Sequence, residues 1–215
     1  VRKQIAVLVV LMGVPGVVRA SPGLACFPSG NTVSPACVSL VGSAGGVPAH
    51  SFGQFQVVVR DLANNPCPGA TVVVDLSACP DLHLCADQGD PDAIVNCAAK
   101  TVRKLAAADG RVNFTLLGGS DGTGNAEELL SAGRIYANGV LIGSPTVSAF
   151  DLDGVNGLGI NDLSAWIVDF GTALNPAFGR SDYDCSGTVG INDMSIWLSA
   201  FGSGAQIESC GATCP

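Results

Sequence analysis

Short runs rich in Val, Ile and Thr, broken every few residues by Gly, Pro or Asn, fill the first two thirds of the chain. FQVVVRDL (Phe55 to Leu62), ATVVVDLS (Ala70 to Ser77), RVNFTLLG (Arg111 to Gly118), GRIYANGVLIG (Gly133 to Gly143) and PTVSAF (Pro145 to Phe150) predict strands. Their branched side chains suit a pleated, half-buried surface. Asn64-Asn65-Pro66, Asp109-Gly110 and Asn138-Gly139 carry turn chemistry, and the last predicts a tight hairpin because both of its central positions tolerate positive φ. With no long helical periodicity in competition, residues 21–150 predict an antiparallel sandwich. Beyond residue 150 the period changes. Leu163, Trp166, Ile167 and Phe170 fall at helical spacing, and Met194, Trp197, Leu198 and Phe201 repeat the arrangement. Two short amphipathic helices result, with stripes expected to pack as core against each other.

The repetition is wider than the helices. DLDGVNGLGINDLSAWIVDFG (Asp151 to Gly171) aligns with DYDCSGTVGINDMSIWLSAFG (Asp182 to Gly202) at a constant offset of 31, with 10 of 21 positions identical. Each copy opens on a twelve-residue Asp-rich loop. In DYDCSGTVGIND, Asp182, Asp184, Ser186 and Asp193 occupy loop positions 1, 3, 5 and 12, and Thr188 would lend its carbonyl at position 7. A hard cation such as calcium needs six to eight oxygens around a tightly curled backbone, and this spacing supplies them. Gly187 stands at the curl, and Val189 should turn its side chain toward the core. The first loop, DLDGVNGLGIND, keeps Asp151, Asp153 and Asp162, with the Gly157 carbonyl at position 7, but has Val155 at position 5 and Asn156 at the curl. Asn tolerates a left-handed backbone. Two calcium sites are therefore expected, the second stronger than the first.

Composition places this pattern outside the cell. The first twenty residues combine Arg2 and Lys3, an apolar run from Ile5 to Val18 and the exit Val18-Arg19-Ala20, which read as a secretory signal peptide cut after Ala20. The run is short and broken by Pro15, so a transmembrane anchor is not expected. Cleavage would remove three of the ten basic residues and leave seven against eighteen acidic ones. Such a surface repels nucleic acid and attracts divalent cations. Nine cysteines, all after residue 20, fit an oxidising compartment. Cys26, Cys37, Cys67, Cys79, Cys85 and Cys97 can pair among themselves, which leaves Cys185, Cys210 and Cys214. The expected bond joins Cys185 to Cys210 or Cys214 and ties the tail across the second loop.

Residues that flank each loop sharpen the picture. TVSAF precedes the first and NPAFGRS the second, neither of them helical, so an ordinary EF-hand with a helix on both sides is excluded. A tandem loop-then-helix duplication with Asp at position 12 resembles the type I dockerin family over about 52 residues. VVVRDLANNPCPGATVVVD, followed by DGRVNFTLLG, resembles bacterial immunoglobulin-like domains. The division expected is a signal peptide (1–20), an immunoglobulin-like sandwich (21–150), a dockerin-like tandem calcium module (151–204) and a Cys-containing tail (205–215). The fold class is then mainly β with a small α module. The dockerin resemblance implies a module that folds with calcium and docks onto a cohesin-like protein partner, as in assemblies that degrade polysaccharides. In that family hydroxyl residues precede the final Asp. Here the matching positions hold Ile160-Asn161 and Ile191-Asn192, which become the candidate partner-binding residues.

Other features carry less chemistry. His50 and His83 lack ligand partners at metal spacing and read as surface or packing residues. Asp81, Asp87, Asp90 and Asp92 read as a solvated loop. Glu127-Glu128 are adjacent in a Gly-rich segment, a poor arrangement for the opposed carboxylates of glycoside hydrolysis. No nucleophile elbow or phosphate loop is present. The expectation is a non-enzymatic component of the cell surface or an extracellular assembly, or of the periplasm. The alternative is an accessory carbohydrate-binding or hydrolase-associated unit in polysaccharide breakdown. Residues 21–150 contain no Trp and a single Tyr, Tyr136, which favours the first.

Overall fold

The structure, a computed structural model, describes residues 26–44, 47–48, 53–121, 133–155, 157–171, 180–202 and 214. Expectations that concern residues 1–20, His50, Glu127-Glu128, Asn156, Cys210 and most of the 172–181 connection lie outside the described residues.

Thirteen strands and two short helices make the described part mainly β. In chain order the strands are β1 (Cys37–Leu40), β2 (Ser43–Ala44), β3 (Val47–Pro48), β4 (Gln54–Val58), β5 (Thr71–Asp75), β6 (Leu82–Leu84) and β7 (Ile94–Asn96). They continue with β8 (Thr101–Leu105), β9 (Arg111–Thr115), β10 (Gly118–Ser120), β11 (Arg134–Ala137), β12 (Val140–Gly143) and β13 (Thr146–Ala149). Helices α1 (Ile160–Asp169) and α2 (Ile191–Gly202) follow. Five strands form one sheet in the order β12-β11-β5-β8-β7, all of its pairings antiparallel. Beside it stand the antiparallel pairs β4-β9, β6-β10 and β2-β3.

Every strand predicted from the sequence is present, and the Asn138-Gly139 hairpin is formed, with φ of 47° and 81° at its two central residues. One pairing departs from the antiparallel expectation. β1 runs parallel to β13 from Cys37 opposite Thr146 to Leu40 opposite Ala149, and the buried hydroxyls of Ser39 and Ser148 bond at 2.7 Å. β8 had no sequence forecast, because TVRKL reads as polar. It lies inside the sheet between β5 and β7, with Val102 buried and with Lys104 inserted beneath Asp90 and Asp92 at 3.1 and 2.9 Å.

Alternation within the strands builds the main core. Val72 and Val74 of β5, Val102 of β8 and Ile135 and Ala137 of β11 meet Leu40, Val57, Val112, Phe114 and Val147 from the other strands in one buried cluster. A second cluster crosses residue 150. Val41, Cys85 and Leu117 from the β region pack with Phe150, Leu152, Leu158, Trp166, Tyr183, Val189, Trp197 and Ala200. The loops and helices thus share a core with the sheet edge. Of the helical stripes, Trp166 and Trp197 are buried, whereas Ile167, Phe170, Leu198 and Phe201 are exposed, contrary to the expectation that the whole stripe is core. The reason is geometric: ten- and twelve-residue helices flanking a small shared core can each seat one large ring in it, with Leu163 and Met194 packed partly buried beside the rings and the last turn of each stripe facing outward.

The cysteine pairing also departs from expectation. Bonds join Cys26 to Cys67, Cys37 to Cys185 and Cys97 to Cys214, while Cys85 is disulfide-bonded as well and Cys79 is a buried thiol. Of the six upstream cysteines Cys26 and Cys67 pair with each other, but Cys37 and Cys97 bond to downstream partners, and Cys185 is bonded to β1 rather than to the tail. Folding of the second loop against the β1–β13 pair decides this, since it places the Cα atoms of residues 37 and 185 at 6.2 Å. Among the described residues no helix is long and apolar enough to cross a membrane.

Candidate metal centre

Each loop begins at the end of something rigid. β13 runs through Phe150 directly into Asp151, whose carbonyl accepts a hydrogen bond from the Ser120 amide at 2.8 Å. The second loop is fastened from both sides. Upstream, the Arg180 guanidinium donates to both oxygens of Asp81 at 2.7 and 3.0 Å and to the Val147 carbonyl at 2.6 Å. Within the loop, Tyr183 stacks on Phe150 with ring centroids 4.5 Å apart and donates its hydroxyl to the Ala149 carbonyl. Arg180 was not singled out from the sequence, and Asp81 reads there only as one member of a solvated cluster. Burial of both partners corrects that reading for Asp81. Asp87 is exposed, as expected.

The two loops fold alike, and the final Asp organises each. Asp162 Oδ1 accepts from the amides of Leu152 and Asp153 at 2.6 and 3.1 Å, and its Oδ2 accepts from Gly159 at 2.6 Å. Asp193 does the same with Tyr183, Asp184 and Gly190 at 2.7, 3.1 and 2.8 Å. One carboxylate therefore closes the loop and opens the helix, where a negative charge is favoured by the first-turn dipole. At position 1, Asp151 accepts from Gly154, and Asp182 accepts from Ser186 and Gly187. At position 3, Asp153 accepts from Val155 and Asp184 from Ser186.

These bonds draw the carboxylates together. Asp151, Asp153 and Asp162 each present an oxygen within 4.8 Å of the others, and so do Asp182, Asp184 and Asp193. Positions 1 and 12 of both loops are buried. In the second loop Ser186 Oγ lies 3.1 Å from the Thr188 carbonyl, so positions 5 and 7 converge as well. In the first, position 5 is the exposed Val155, which has no side-chain oxygen, and Gly157 at position 7 could offer only its carbonyl. Leu158 and Val189, both at position 8, are buried in the shared core, as expected for Val189. Ile160, Asn161, Ile191 and Asn192 are all exposed, and Asn192 also hydrogen-bonds Asp184.

Grouped, buried carboxylates repel one another. Burial, reinforced by the neighbouring Asp162 charge, pushes Asp151 up to about 6. Burial likewise raises Asp162 and Asp182. Asp184 runs the other way: burial pushes it up, but its hydrogen bonds with Ser186 and Asn192 outweigh that and lower it. Such a cluster needs protons or a cation to balance it. An all-oxygen donor set with no His or thiolate fits a hard divalent ion.

The path of the first loop depends on Gly154, held at φ 72°, where a Cβ would stand 2.6 Å from the Ser120 carbonyl oxygen. Gly154→Ala is expected to destabilise the chain by about 2–3 kcal/mol through left-handed strain plus that collision, measured as a lowered midpoint in denaturant. Gly139→Ala, where φ is 81° but nothing lies within 4 Å of the added Cβ, should cost less.

Away from the loops, the β4-β9 surface carries a cleft of about 430 Å³ lined by Gln54, Phe55, Gln56, Asp90, Lys104 and Asn113. Within it Gln56 bonds Asn113 at 2.8 Å and Lys104 bonds Asp90 at 3.1 Å. Comparison of the chain with protein-family models, with curated proteins and with solved structures finds no match.

Proposed function

We propose that this chain is a secreted, non-catalytic protein in which an immunoglobulin-like sandwich carries a dockerin-like pair of calcium loops, and that calcium holds the two exit helices in place as a docking surface for a protein partner of the cohesin kind. Calcium would be held by Asp151, Asp153, Asp162 and the Gly157 carbonyl in the first loop. In the second it would be held by Asp182, Asp184, Ser186, Asp193 and the Thr188 carbonyl. Its contribution is charge: it neutralises carboxylates that the fold has already gathered. The additional oxygen of Ser186 supports a stronger second site.

The observation that carries the reading is a matched exposure at the 31-residue offset. Ile160 and Ile191 are 67% and 69% exposed, and Ile167 and Leu198 are 56% and 51% exposed. Apolar residues kept out of the core at equivalent positions of two helices, each beside an exposed Asn, support a face that can supply a small buried contact with directional hydrogen bonds around it. Because both copies carry it, either face can engage the same partner. Disulfides and the acidic balance support an extracellular or cell-surface setting.

Calorimetric titration of the chelator-treated full chain tests the metal. Asp182→Ala is expected to cost more calcium affinity than Asp151→Ala, and equal losses would contradict the ranking. Partner capture from exported proteins, with the intact chain as bait, tests docking. Retention is expected in calcium only, to survive conversion of either Ile-Asn pair to Asp-Asp, and to vanish when both pairs are converted. Retention that persists in the doubly converted chain would refute these faces as the docking surface.

A further inference from the structure

The fourth residue of each loop adopts the same left-handed backbone, φ 72° at Gly154 and 61° at Cys185. Glycine accepts that conformation freely, and cysteine resists it because its Cβ crowds the following carbonyl. The two loops therefore need different means of holding one shape. In the first, Gly154 lies directly against the Ser120 and Asp121 backbone, at the end of β10. In the second, Cys185 is covalently bonded to Cys37, at the start of β1. Downstream of Cys185 the next two amides do the organising: Ser186 donates to Asp182 and Asp184, and Gly187 donates to Asp182. The backbone angle at residue 185 thus sets whether those amides, and the carboxylates they orient, face the loop centre.

We propose that the Cys37–Cys185 disulfide is a positioning element of the second loop, holding Cys185 in its left-handed conformation and making calcium affinity at that loop depend on the oxidation state of the bond. The proposal rests on the calcium reading above. Reduction by a dithiol transfers two electrons and two protons to the S–S bond, yields the Cys37 and Cys185 thiols and leaves the reagent as its cyclic disulfide. The freed Cys185 then relaxes toward negative φ, and the carboxylates of positions 1 and 3 lose the amides that aim them. No comparable dependence exists at the first loop, where glycine needs no tether.

The test uses the full chain with calcium itself as the probe and calorimetry as the readout. Asp153→Ala silences the first loop and Asp184→Ala the second, so each is read alone. Cys37→Ser/Cys185→Ser is expected to weaken calcium at the second loop about tenfold and to leave the first within about twofold, which also certifies that the variant is folded. Cys37→Ser/Cys185→Gly removes the bond but restores a residue content with positive φ, and is expected to recover most of the lost affinity. Unchanged affinity at the second loop in the double-Ser variant would overturn the proposal, as would a Gly variant no better than the Ser variant. If the oxidised parent takes up no calcium at either loop, it is the calcium reading that fails, and the two failures are distinct.

Discussion

Removing calcium from the intact chain at about pH 7 is expected to lower its unfolding temperature by on the order of 15 °C or more. A ligand at ~1,000 times its dissociation constant stabilises the state that binds it by about 4 kcal/mol per site. For a chain of this length each kcal/mol moves the midpoint by roughly 2–4 °C. The effect should depend on pH in a defined sense. Burial and the Asp162 charge raise Asp151 to about 6 in the folded chain without metal, against ~3.9 unfolded. A raised folded value stabilises fully below about pH 4 and is lost as pH climbs through about 6. That loss amounts to about 3 kcal/mol for this one residue, and the upward shifts at Asp162 and Asp182 add in the same direction. The chelated protein should therefore weaken as pH rises across this window, while the calcium-loaded protein holds, because the same ionisation strengthens its ligands. Trp166 and Trp197, the only tryptophans, lie buried one helical turn beyond the closing Asp of each loop and report the transition by fluorescence. Identical midpoints in calcium and in chelator at neutral pH would sink the idea.

Asp81→Ala should be among the most damaging single substitutions outside the loops, costing about 3–5 kcal/mol. It leaves the Arg180 guanidinium buried beside neutral groups such as the Val147 carbonyl and the Cys79 side chain, and an uncompensated buried charge is far costlier than the absence of the pair. Replacing both residues together, Asp81→Leu with Arg180→Met, should cost much less than either charge left alone. Because Arg180 stands two residues before Asp182, Asp81→Ala is also expected to weaken calcium at the second loop while sparing the first. Thermal unfolding combined with calorimetry separates the two effects. A loss under about 1 kcal/mol in Asp81→Ala would show that the pair is not what fastens the loop.

The shared core changes how calcium and fold are related. With only its own residues the 151–204 segment could bury one small apolar seam, too little to offset its chain entropy without metal. Val41, Cys85 and Leu117 extend that seam into the β region, and Cys37, Asp81, Val147 and Ala149 each hold the second loop. Loss of calcium would thus be transmitted to β1 and β13, and loosening of β1 would reach the loop.

Sequence by itself determined what is local. The turn at Asn138-Gly139 depends on two adjacent residues that accept positive φ, and the strand runs depend on side-chain branching next to the backbone they restrict. The grouping of the loop carboxylates was legible for the same reason, since each set of three lies within twelve residues and the curl between them is steric. Tertiary structure alone decided what is distant. Nothing in CVSL or PTVSAF states that β1 and β13 run parallel, nothing near Asp81 announces a guanidinium 99 residues away, and an even count of six upstream cysteines pointed to a bond from Cys185 to the tail. Lys104 in β8 and Ile160 beside the first loop make the same point from opposite sides, one a charge that is buried and the other an apolar side chain that is not. Burial is set by which surfaces meet, and that depends on the packing of elements whose separation along the chain, 148 residues for Cys37 and Cys185, leaves no trace in local pattern.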